Sequence, residues 1–440
     1  MIGRFPVRLA LPLVAVLLAA AVWFVPEPEP PVVAGGSSAV QVRQTVWACP
    51  VDSGWKVAAG QVEPGTEAVA RPIPEDAAAD PVWARADRWR SAEPGGDALV
   101  LEQSGEGSGS VGYVAGTRKD AAVLGSCPSV VDEAWFVGLG DQGRTDATIT
   151  LINLGENRAV ADLTWWGANG PIQSVDTSGL VVEAGEQRRV SVDQVAAGEG
   201  AVAAQVSRRR GSLTAVALDA DDRVADLMTP ATGAATEQVL AGFPRGDDAR
   251  LSVVNPGRST AHVTVAVRGP KGSFAARGLE NISVEPESTR VVPIPDSVDL
   301  DEASLSITSD LPVVASASVS SDDDVARIVP ARTISGPAVV PVRMDGRAVR
   351  LVLTSKDAAQ VRIESFSASM KSLGDTTVDL ETGTSTVVPA PTGKPAYLVV
   401  TPAKGQQVMA GLWQAGDGRL AAAPVRPAPV TVVAPGVSVR

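Results

Sequence analysis

Short runs in which apolar and polar residues alternate follow one another along most of the chain after residue 45. These runs are rich in Val, Thr, Ile and Ala, and Gly, Pro, Asn or Asp interrupts them roughly every 8 to 12 residues. Such spacing is typical of the strands and turns of small β-sandwich domains. Long amphipathic helical patterns are absent, so the pattern predicts an all-β fold.

The chain also resembles itself at a shift of 102 residues. Residues 149–155, ITLINLG, align with 251–257, LSVVNPG, and the same shift places 182–185, VEAG, on 284–287, VEPE. A coincidence in two separate segments at one shift indicates a true repeat. A period of this length predicts tandem immunoglobulin-like β-sandwich repeats, and equal repeats that close into a β-propeller-like ring are the alternative.

Two further copies of the unit are weaker. One begins at Leu351 and carries Thr354-Ser355-Lys356 where the other copies have an Asn-x-Gly turn. Residues 62–74 echo the pattern closer to the N-terminus, which predicts a degenerate first copy.

These copies and the segments around them divide the chain into eight parts. They are a cytoplasmic stub (1–8), a transmembrane anchor or signal peptide (9–25), a Pro/Gly/Ser-rich stalk (26–44), an N-terminal β domain (45–132), three β-sandwich repeats (133–233, 234–336 and 337–420) and an Ala/Pro-rich tail or terminal strand (421–440).

The stretch 9–25 is an uncharged apolar run close to the shortest that spans a hydrocarbon core. Arg4 and Arg8 precede it, and positive flanks stay on the cytoplasmic side. We therefore expect a single-pass plasma-membrane protein with the bulk of the chain outside the cytoplasm. Ala19 to Ala21 offer small residues for a signal-peptide cleavage site, so secretion after cleavage is the alternative.

The chain has two cysteines, Cys49 and Cys127, and export would place both outside the cytoplasm. Disulfides persist outside the cytoplasm, so we expect these two residues to pair. They are not arranged as C-x-x-C, and neither has a neighbouring His or Lys that would lower the thiol pKa, which disfavours a redox role.

Strand alternation assigns the side chains of the segment around residue 160 to two faces. Ala161, Leu163 and Trp165 should face the core, whereas Trp166 should face outward. The shift of 102 places Trp166 on Arg268, which is consistent with an outward position.

These motifs resemble an actinobacterial family of membrane-anchored or secreted proteins that is known as a domain of unknown function. The resemblance is carried by the anchor and stalk, by Cys49-Pro50 and Cys127-Pro128, and by the Asn-x-Gly turns 153–155 and 255–257. It implies an envelope location and no assigned activity, so no functional residues are carried over.

Composition removes several classes of function. The formal net charge of −12 disfavours nucleic-acid binding, because the protein would repel a phosphate backbone. The single histidine, His262, falls at an outward strand position, which disfavours a catalytic base. No phosphate-binding loop or dinucleotide motif is present, and we expect no cofactor.

Seven of the nine tryptophans lie between residues 47 and 166. Exposed indoles stack on sugar rings or on partner side chains, so Trp89 and Trp166 are the candidate binding residues. The alternative is that these rings fill cores and the seams between domains.

Aspartates follow the predicted last strand in two copies and are weak candidates for a calcium site: Asp221, Asp222, Asp323 and Asp324. No bidentate glutamate accompanies them, and solvated turns have the same composition.

The sequence thus predicts a non-enzymatic, membrane-anchored binding or scaffold protein of the cell envelope that contacts a glycan or an envelope protein. Repeated sandwiches with turn-type motifs favour contact surfaces over a single active cleft. An exported carbohydrate-active enzyme with a cleft at a domain seam is the alternative, since Asp and Glu are plentiful.

Overall fold

The computed structural model describes residues 38–41, 44–62, 67–74, 89–104, 109–141, 146–173, 177–221, 223–300, 302–321, 324–389, 391, 393–428 and 431–434. The predicted anchor, 9–25, lies outside these residues. Within them, no helix has both the length and the apolar character needed to cross a membrane. The fold is almost entirely β, which confirms the predicted class, while the immunoglobulin-like assignment stays a prediction.

The chain divides into a main body, Gln41–Val430, and a small unit whose described residues are 38–40 and 431–434. Near the ends, strand β1 pairs with the last strand, β37. Their bounds are Ser38–Gln41 and Thr431–Ala434.

The main body contains four repeats, and each repeat is built from two groups of paired strands. Repeat 1 contains β2 Gln44–Pro50, β3 Lys56–Gln61, β4 Glu67–Ile73, β5 Arg90–Ala92, β6 Ala98–Ser104, β7 Ser110–Arg118 and β8 Ala121–Ser126. Repeat 2 contains β9 Glu133–Leu139, β10 Thr148–Asn153, β11 Ala159–Gly167, β12 Gly170–Ile172, β13 Leu180–Val182, β14 Gln187–Ser191, the helix α1 Val192–Val195, β15 Val202–Arg210, β16 Leu213–Ala220 and β17 Ala225–Met228.

Repeat 3 contains β18 Ala235–Ala241, β19 Asp248–Asn255, β20 Ala261–Gly269, β21 Gly272–Ala275, β22 Ile282–Val284, β23 Ser288–Pro293, β24 Ser304–Ser320 and β25 Val325–Ile328. Repeat 4 contains β26 Thr333–Ile334, β27 Ala338–Pro341, β28 Arg343–Met344, β29 Arg347–Ala348, β30 Arg350–Thr354, β31 Ala359–Phe366, β32 Ser372–Leu380, β33 Ser385–Val387, β34 Tyr397–Pro402, β35 Val408–Gly416 and β36 Arg419–Pro424. The last strand of repeat 4 therefore extends past residue 420.

The four repeats share one strand order, except that the first sheet of repeat 1 has three described strands instead of four. In repeat 2 the sheets run β12-β11-β15-β9 and β14-β10-β16-β17, and repeat 1 has the corresponding β4-β6-β2 and β5-β3-β7-β8. Repeat 4 follows the same scheme with β32-β31-β34-β27 and β33-β30-β35-β36. Repeat 3 differs only in that one 17-residue strand, β24, runs through both sheets.

The core of each repeat is formed by the inward faces of its sheets. In repeat 2 the predicted inward residues Ala161, Leu163 and Trp165 are buried in one cluster, as the alternation indicates. The predicted outward residue His262 is exposed on β20. In repeat 1 the sheets are also joined by the predicted disulfide between Cys49 and Cys127, whose Cα atoms are 4.6 Å apart.

A buried asparagine explains why the two repeated sequence motifs keep a constant separation. The Asn153 side-chain amide donates to the carbonyl oxygens of Asn157 at 2.8 Å, Val182 at 3.0 Å and Glu183 at 3.0 Å, and its Oδ1 accepts from Gly155 N at 2.9 Å. The equivalent asparagine of repeat 3 makes the same four bonds. One side chain therefore fixes both the Asn-x-Gly turn and the Val-Glu turn, because all of these backbone groups need partners when buried.

The last strands of the four repeats, β8, β17, β25 and β36, contact one another in a closed cycle. Each contains at least one alanine, and β8 and β36 contain two and three, so small side chains help four backbones to approach one another. The alternative prediction of a closed repeat anticipates this cycle, although each copy has two groups of strands and a propeller blade has a single four-stranded sheet.

One carboxylate joins these four strands. Asp324 is fully buried and accepts hydrogen bonds from the backbone N–H of Ala122 at 2.7 Å, of Val325 at 2.8 Å and of Leu420 at 3.0 Å, and it also accepts from Ala225 N. Burial raises the pKa of Asp324 to about 7, although the N–H bonds act in the opposite direction. The side chain thus bonds to all four repeats.

A second buried polar group connects repeats 2 and 3. Arg327 forms an ion pair with Asp219, and both side chains are fully buried. The Asp226 carboxylate accepts from the backbone N–H of Arg327 at 2.6 Å, and burial raises its pKa well above the ordinary value.

Candidate functional site

Repeats 2, 3 and 4 each present the outward face near the end of one strand to the next repeat. The strands concerned are β11, β20 and β31, and the corresponding positions carry Trp166, Arg268 and Phe366. Each of these residues follows an inward-facing position, so its side chain points away from the core of its own repeat. The three side chains differ in size and charge, and the seams between repeats differ accordingly.

The seam between repeats 2 and 3 is filled by aromatic rings. Trp166 stacks on Trp135 with ring centroids 5.0 Å apart, and both pack with Val254 and Val314 of repeat 3. Only 6% of Trp166 is exposed. The alternation correctly assigned it to the outward face, but the prediction that this face meets solvent was wrong, because repeat 3 covers it.

The seam between repeats 4 and 1 is filled in the same way. Phe366 stacks on Tyr397 and Tyr397 stacks on Trp89, each pair with centroids 5.2 Å apart. Trp89 is 7% exposed and also lies flat against Gly60, where a Cβ atom would come within 2.4 Å of the indole. Trp89 and Trp166 therefore pack at seams, and neither presents the open ring face that the binding prediction assumed.

The seam between repeats 3 and 4 is open. Arg268 occupies the position that carries an aromatic ring elsewhere, and its guanidinium donates to Ser306 Oγ at 3.0 Å and to Ser355 O at 3.4 Å. A cavity of about 860 Å³ lies here and is referred to below as the seam cavity. Its wall is formed by β18, the segment 330–333, the turn 356–358 and the segment 405–409.

The polar side chains of the seam cavity are arranged by depth. Lys356 and Glu237 form an ion pair at 2.8 Å and are 62% and 63% exposed, so they lie at the rim. Arg268 is largely buried, and burial lowers its pKa. Arg332 is partly buried, and burial lowers its pKa as well. Among the described residues, the Arg332 guanidinium has no hydrogen-bond or ion-pair partner.

A sequence comparison places this fold in a family. A family model described as "Family of unknown function (DUF5719)" matches residues 90–391, which is more than half of the 440-residue chain. The chain belongs to this family. In this DUF5719 protein the match extends from β5 to beyond β33, and most of the seam cavity falls within it.

Other comparisons add little to the family match. No curated protein matches the DUF5719 chain. Among solved structures, a similarity is found to an α-L-rhamnosidase of Streptomyces avermitilis complexed with L-rhamnose, at 10% identity and a TM-score of 0.15. That similarity covers 85% of this chain and 54% of the rhamnosidase chain. At this TM-score it carries no structural or functional conclusion.

A second cavity in the DUF5719 protein, of about 610 Å³, lies between repeats 1 and 2. Its charged side chains are paired with one another. Arg118 contacts Asp146 at 2.8 Å, while Asp97 accepts from Gln187 at 3.1 Å and lies 3.8 Å from Arg189. The seam cavity differs because it includes a cation without a partner.

The weak calcium candidates do not form a cation site in the described part of the chain. The oxygens of Asp324 accept backbone N–H bonds at the axis, so the calcium interpretation of this residue was wrong. Asp221 Oδ1 accepts from Arg223 N at 2.7 Å and from Val224 N at 3.0 Å, as in an ordinary turn. Asp222 and Asp323 lie outside the described residues.

Sequence reasoning missed Arg268, Arg332 and Lys356 as site residues. The available signal was the alignment of Trp166 with Arg268, which marks a change from ring to cation at a repeated position. By itself this alignment indicates an outward position but not what covers it, because the sequence does not show that the next repeat packs on this face.

Proposed function

We propose that this DUF5719 protein is a non-enzymatic binding or scaffold protein of the cell envelope, anchored by residues 9–25, that contacts an envelope glycan or protein at the seam cavity. In this proposal the four repeats are immunoglobulin-like sandwiches that build a rigid ring of contact surfaces. The cavity between repeats 3 and 4 is the surface that receives the ligand.

The observation that carries the proposal is the difference between seams. The repeated position near the end of β11, β20 and β31 carries a stacked ring in two seams and Arg268 in the third. Where the ring is replaced, a cavity with polar walls is left between two otherwise packed repeats. Concave sites with a few convergent polar groups are the usual locations of ligand binding.

Glu237, one of the two carboxyl groups of the cavity wall, is not suited to the acid role in glycoside hydrolysis. A glycosidase needs one carboxylic acid whose pKa is raised so that it can protonate the leaving group. Glu237 lines the cavity, but its hydrogen bond to Lys356 lowers the pKa of that carboxyl group. It is therefore held as a carboxylate, which is the wrong state for the acid role.

Filling the open seam tests the proposal. We expect Arg268→Trp to place a ring in the cavity, as Trp166 does in its own seam, and to reduce retention of the full-length protein on immobilised cell-envelope polysaccharide at least tenfold. Arg277→Trp is the matched control, because Arg277 is exposed and lies outside the cavity wall.

Circular dichroism and thermal unfolding of each variant establish that it is folded. Equal retention of the folded Arg268→Trp variant and the wild type would contradict the seam as the binding site. Release of reducing ends from the polysaccharide by the wild-type protein would favour the enzyme instead.

A further inference from the structure

We propose that the seam cavity binds an oxyanion, a carboxylate or a phosphate group of its ligand, through Arg332 and Arg268. This inference rests on the proposed binding function and specifies the chemistry of the ligand. It applies to an acidic protein of net charge −12, in which a cationic cavity is a local exception to the overall charge.

Arg332 is the first element of this site. It follows β25 in the segment 330–333 that forms one wall of the cavity. A partly buried guanidinium loses hydration, and that loss is offset only when an anion or an acceptor takes its donors. Among the described residues none does so for Arg332.

Other arginines of the protein show the usual arrangement. Arg208 forms an ion pair with Asp132, and Arg209 forms one with Asp162. Both of these guanidinium groups are therefore paired within the protein, whereas Arg332 has no such partner among the described residues and keeps its donors available.

Arg268 provides further donors in the same cavity. A guanidinium has five N–H donors in a fixed planar arrangement. The hydrogen bonds to Ser306 Oγ and Ser355 O hold the side chain in place and leave other donors of the group available. Planar arginine groups bind carboxylate and phosphate oxygens in pairs, which matches this arrangement.

The acidic residues of the cavity do not cancel this charge. Glu237 is occupied by Lys356 at the rim. Asp357 is the other carboxylate of the wall, and its charge raises the pKa of Arg268, as does that of Glu237. The described wall therefore carries three cations and two carboxylates, and one of those carboxylates is paired with a rim lysine.

A third arginine behind the wall adds to the positive potential. Arg426 precedes the cavity residue Pro427, and only 7% of the residue is exposed. Its Nε donates to Ser126 Oγ at 3.1 Å, and its Nη2 has no partner among the described residues. Burial and the nearby charge of Arg332 lower the pKa of Arg426, so the two cations repel each other until an anion binds.

Calorimetric titration of the full-length protein tests the inference with three small probes. Sodium glucuronate carries a carboxylate on a sugar ring, inorganic phosphate carries a phosphate alone, and methyl glucoside carries neither. We expect glucuronate or phosphate to bind and methyl glucoside not to bind, with the stronger of the two anions identifying the group that the cavity prefers.

The variants separate the cavity from the rest of the surface. Arg332→Gln should weaken binding of the preferred anion at least tenfold, because a charge-assisted contact is lost. Arg277→Gln makes the same change in charge at an exposed site and should leave binding unchanged. The thermal unfolding midpoint of Arg332→Gln should equal or exceed that of the wild type, because the variant removes an unpaired charge.

Two results overturn the inference. One is equal anion binding by wild type and Arg332→Gln, and the other is the absence of anion binding by the folded wild type. If envelope polysaccharide is still retained by all variants, the binding function stands and only the anion chemistry fails. If no polysaccharide is retained either, both proposals fail.

Discussion

Three side chains at one repeated position show how a single residue decides the character of a seam. Trp166 and Phe366 extend aromatic stacks into the neighbouring repeat, whereas Arg268 donates hydrogen bonds and leaves a cavity beside it. An aromatic ring buries a large apolar area, so it closes a seam. The charged end of an arginine must stay hydrated or paired, so an arginine at this position does not close the seam.

Glycine has the opposite role where two backbones meet. At Gly411 in β35, a Cβ atom would lie 1.9 Å from the carbonyl oxygen of Ala241, which belongs to repeat 3. No side-chain rotation relieves a clash with backbone. Repeats 3 and 4 therefore approach each other here as closely as their main chains allow.

Gly411→Ala should push these repeats apart. We expect the free energy of unfolding, measured by urea titration, to fall by about 3 kcal/mol, at the upper end of overpacking effects. Gly336→Ala is the control, because a Cβ there meets nothing within 4 Å and should change the value by less than about 0.5 kcal/mol. Equal stability of the two variants would show that the close approach is absent in solution.

At the scale of single residues, the sequence could predict which face of a strand a side chain lies on, but not whether that face is exposed to solvent. Alternation along β11 correctly separates Trp165, in the core of repeat 2, from Trp166, which lies in another cluster. Whether the outward face meets water depends on a strand about 90 residues further along, and no local pattern carries that information.

At the scale of elements, the repeated turns were predictable because their chemistry is local. The side chain of Asn153 accepts one hydrogen bond from the backbone of the Asn-x-Gly turn. Its amide group donates three more to backbone carbonyl oxygens, all within the same repeat. In repeat 4 the hydroxyl of Thr354 donates to Thr384 O at 3.1 Å and replaces part of this network.

The departure in repeat 4 has a consequence at the cavity. The turn there reads Thr354-Ser355-Lys356, and Ser355 O accepts from Arg268 while Lys356 forms the rim ion pair with Glu237. The sequence shows the loss of the Asn-x-Gly turn. It does not show which strand of repeat 3 faces the altered turn, because that depends on how the repeats are stacked.

At the scale of the whole main body, the four repeats are held together where their last strands, β8, β17, β25 and β36, contact one another. Asp324 bonds to strands of all four repeats, and Arg327 and Asp219 form a buried ion pair beside it. The sequence marked Asp324 only as a turn aspartate and weak calcium ligand. Its role at the axis could not be predicted, because its hydrogen-bond partners come from every repeat.

Titration of Asp324 should be visible in the stability of the protein. Because its pKa is raised to about 7 in the folded state, its contribution is full below the pKa of an unfolded aspartate, near 4, and is lost as the pH rises to about 7. Asp226 titrates in the same direction, so the wild type alone does not isolate Asp324. The difference between wild type and Asp324→Asn contains the contribution of Asp324 and its charge coupling to Asp226, and the coupling acts in the same direction.

We expect the loss of unfolding free energy in Asp324→Asn to be about 2 kcal/mol greater at pH 5 than at pH 8, measured by urea titration at both values. Asp296→Asn, at an exposed position, is the control and should show no such change. A loss that is equal at both pH values, or greater at pH 8, would contradict the assignment of the raised pKa to Asp324.

The central claim is that the open seam between repeats 3 and 4 is the ligand-binding surface. Hydrogen–deuterium exchange of the full-length protein, with and without cell-envelope polysaccharide, tests it most directly. We predict that the polysaccharide slows exchange in residues 331–333 and 405–409, which line the seam cavity, and leaves the aromatic seam around Trp166 unchanged. Slowed exchange elsewhere, with no change in these two segments, would contradict the claim.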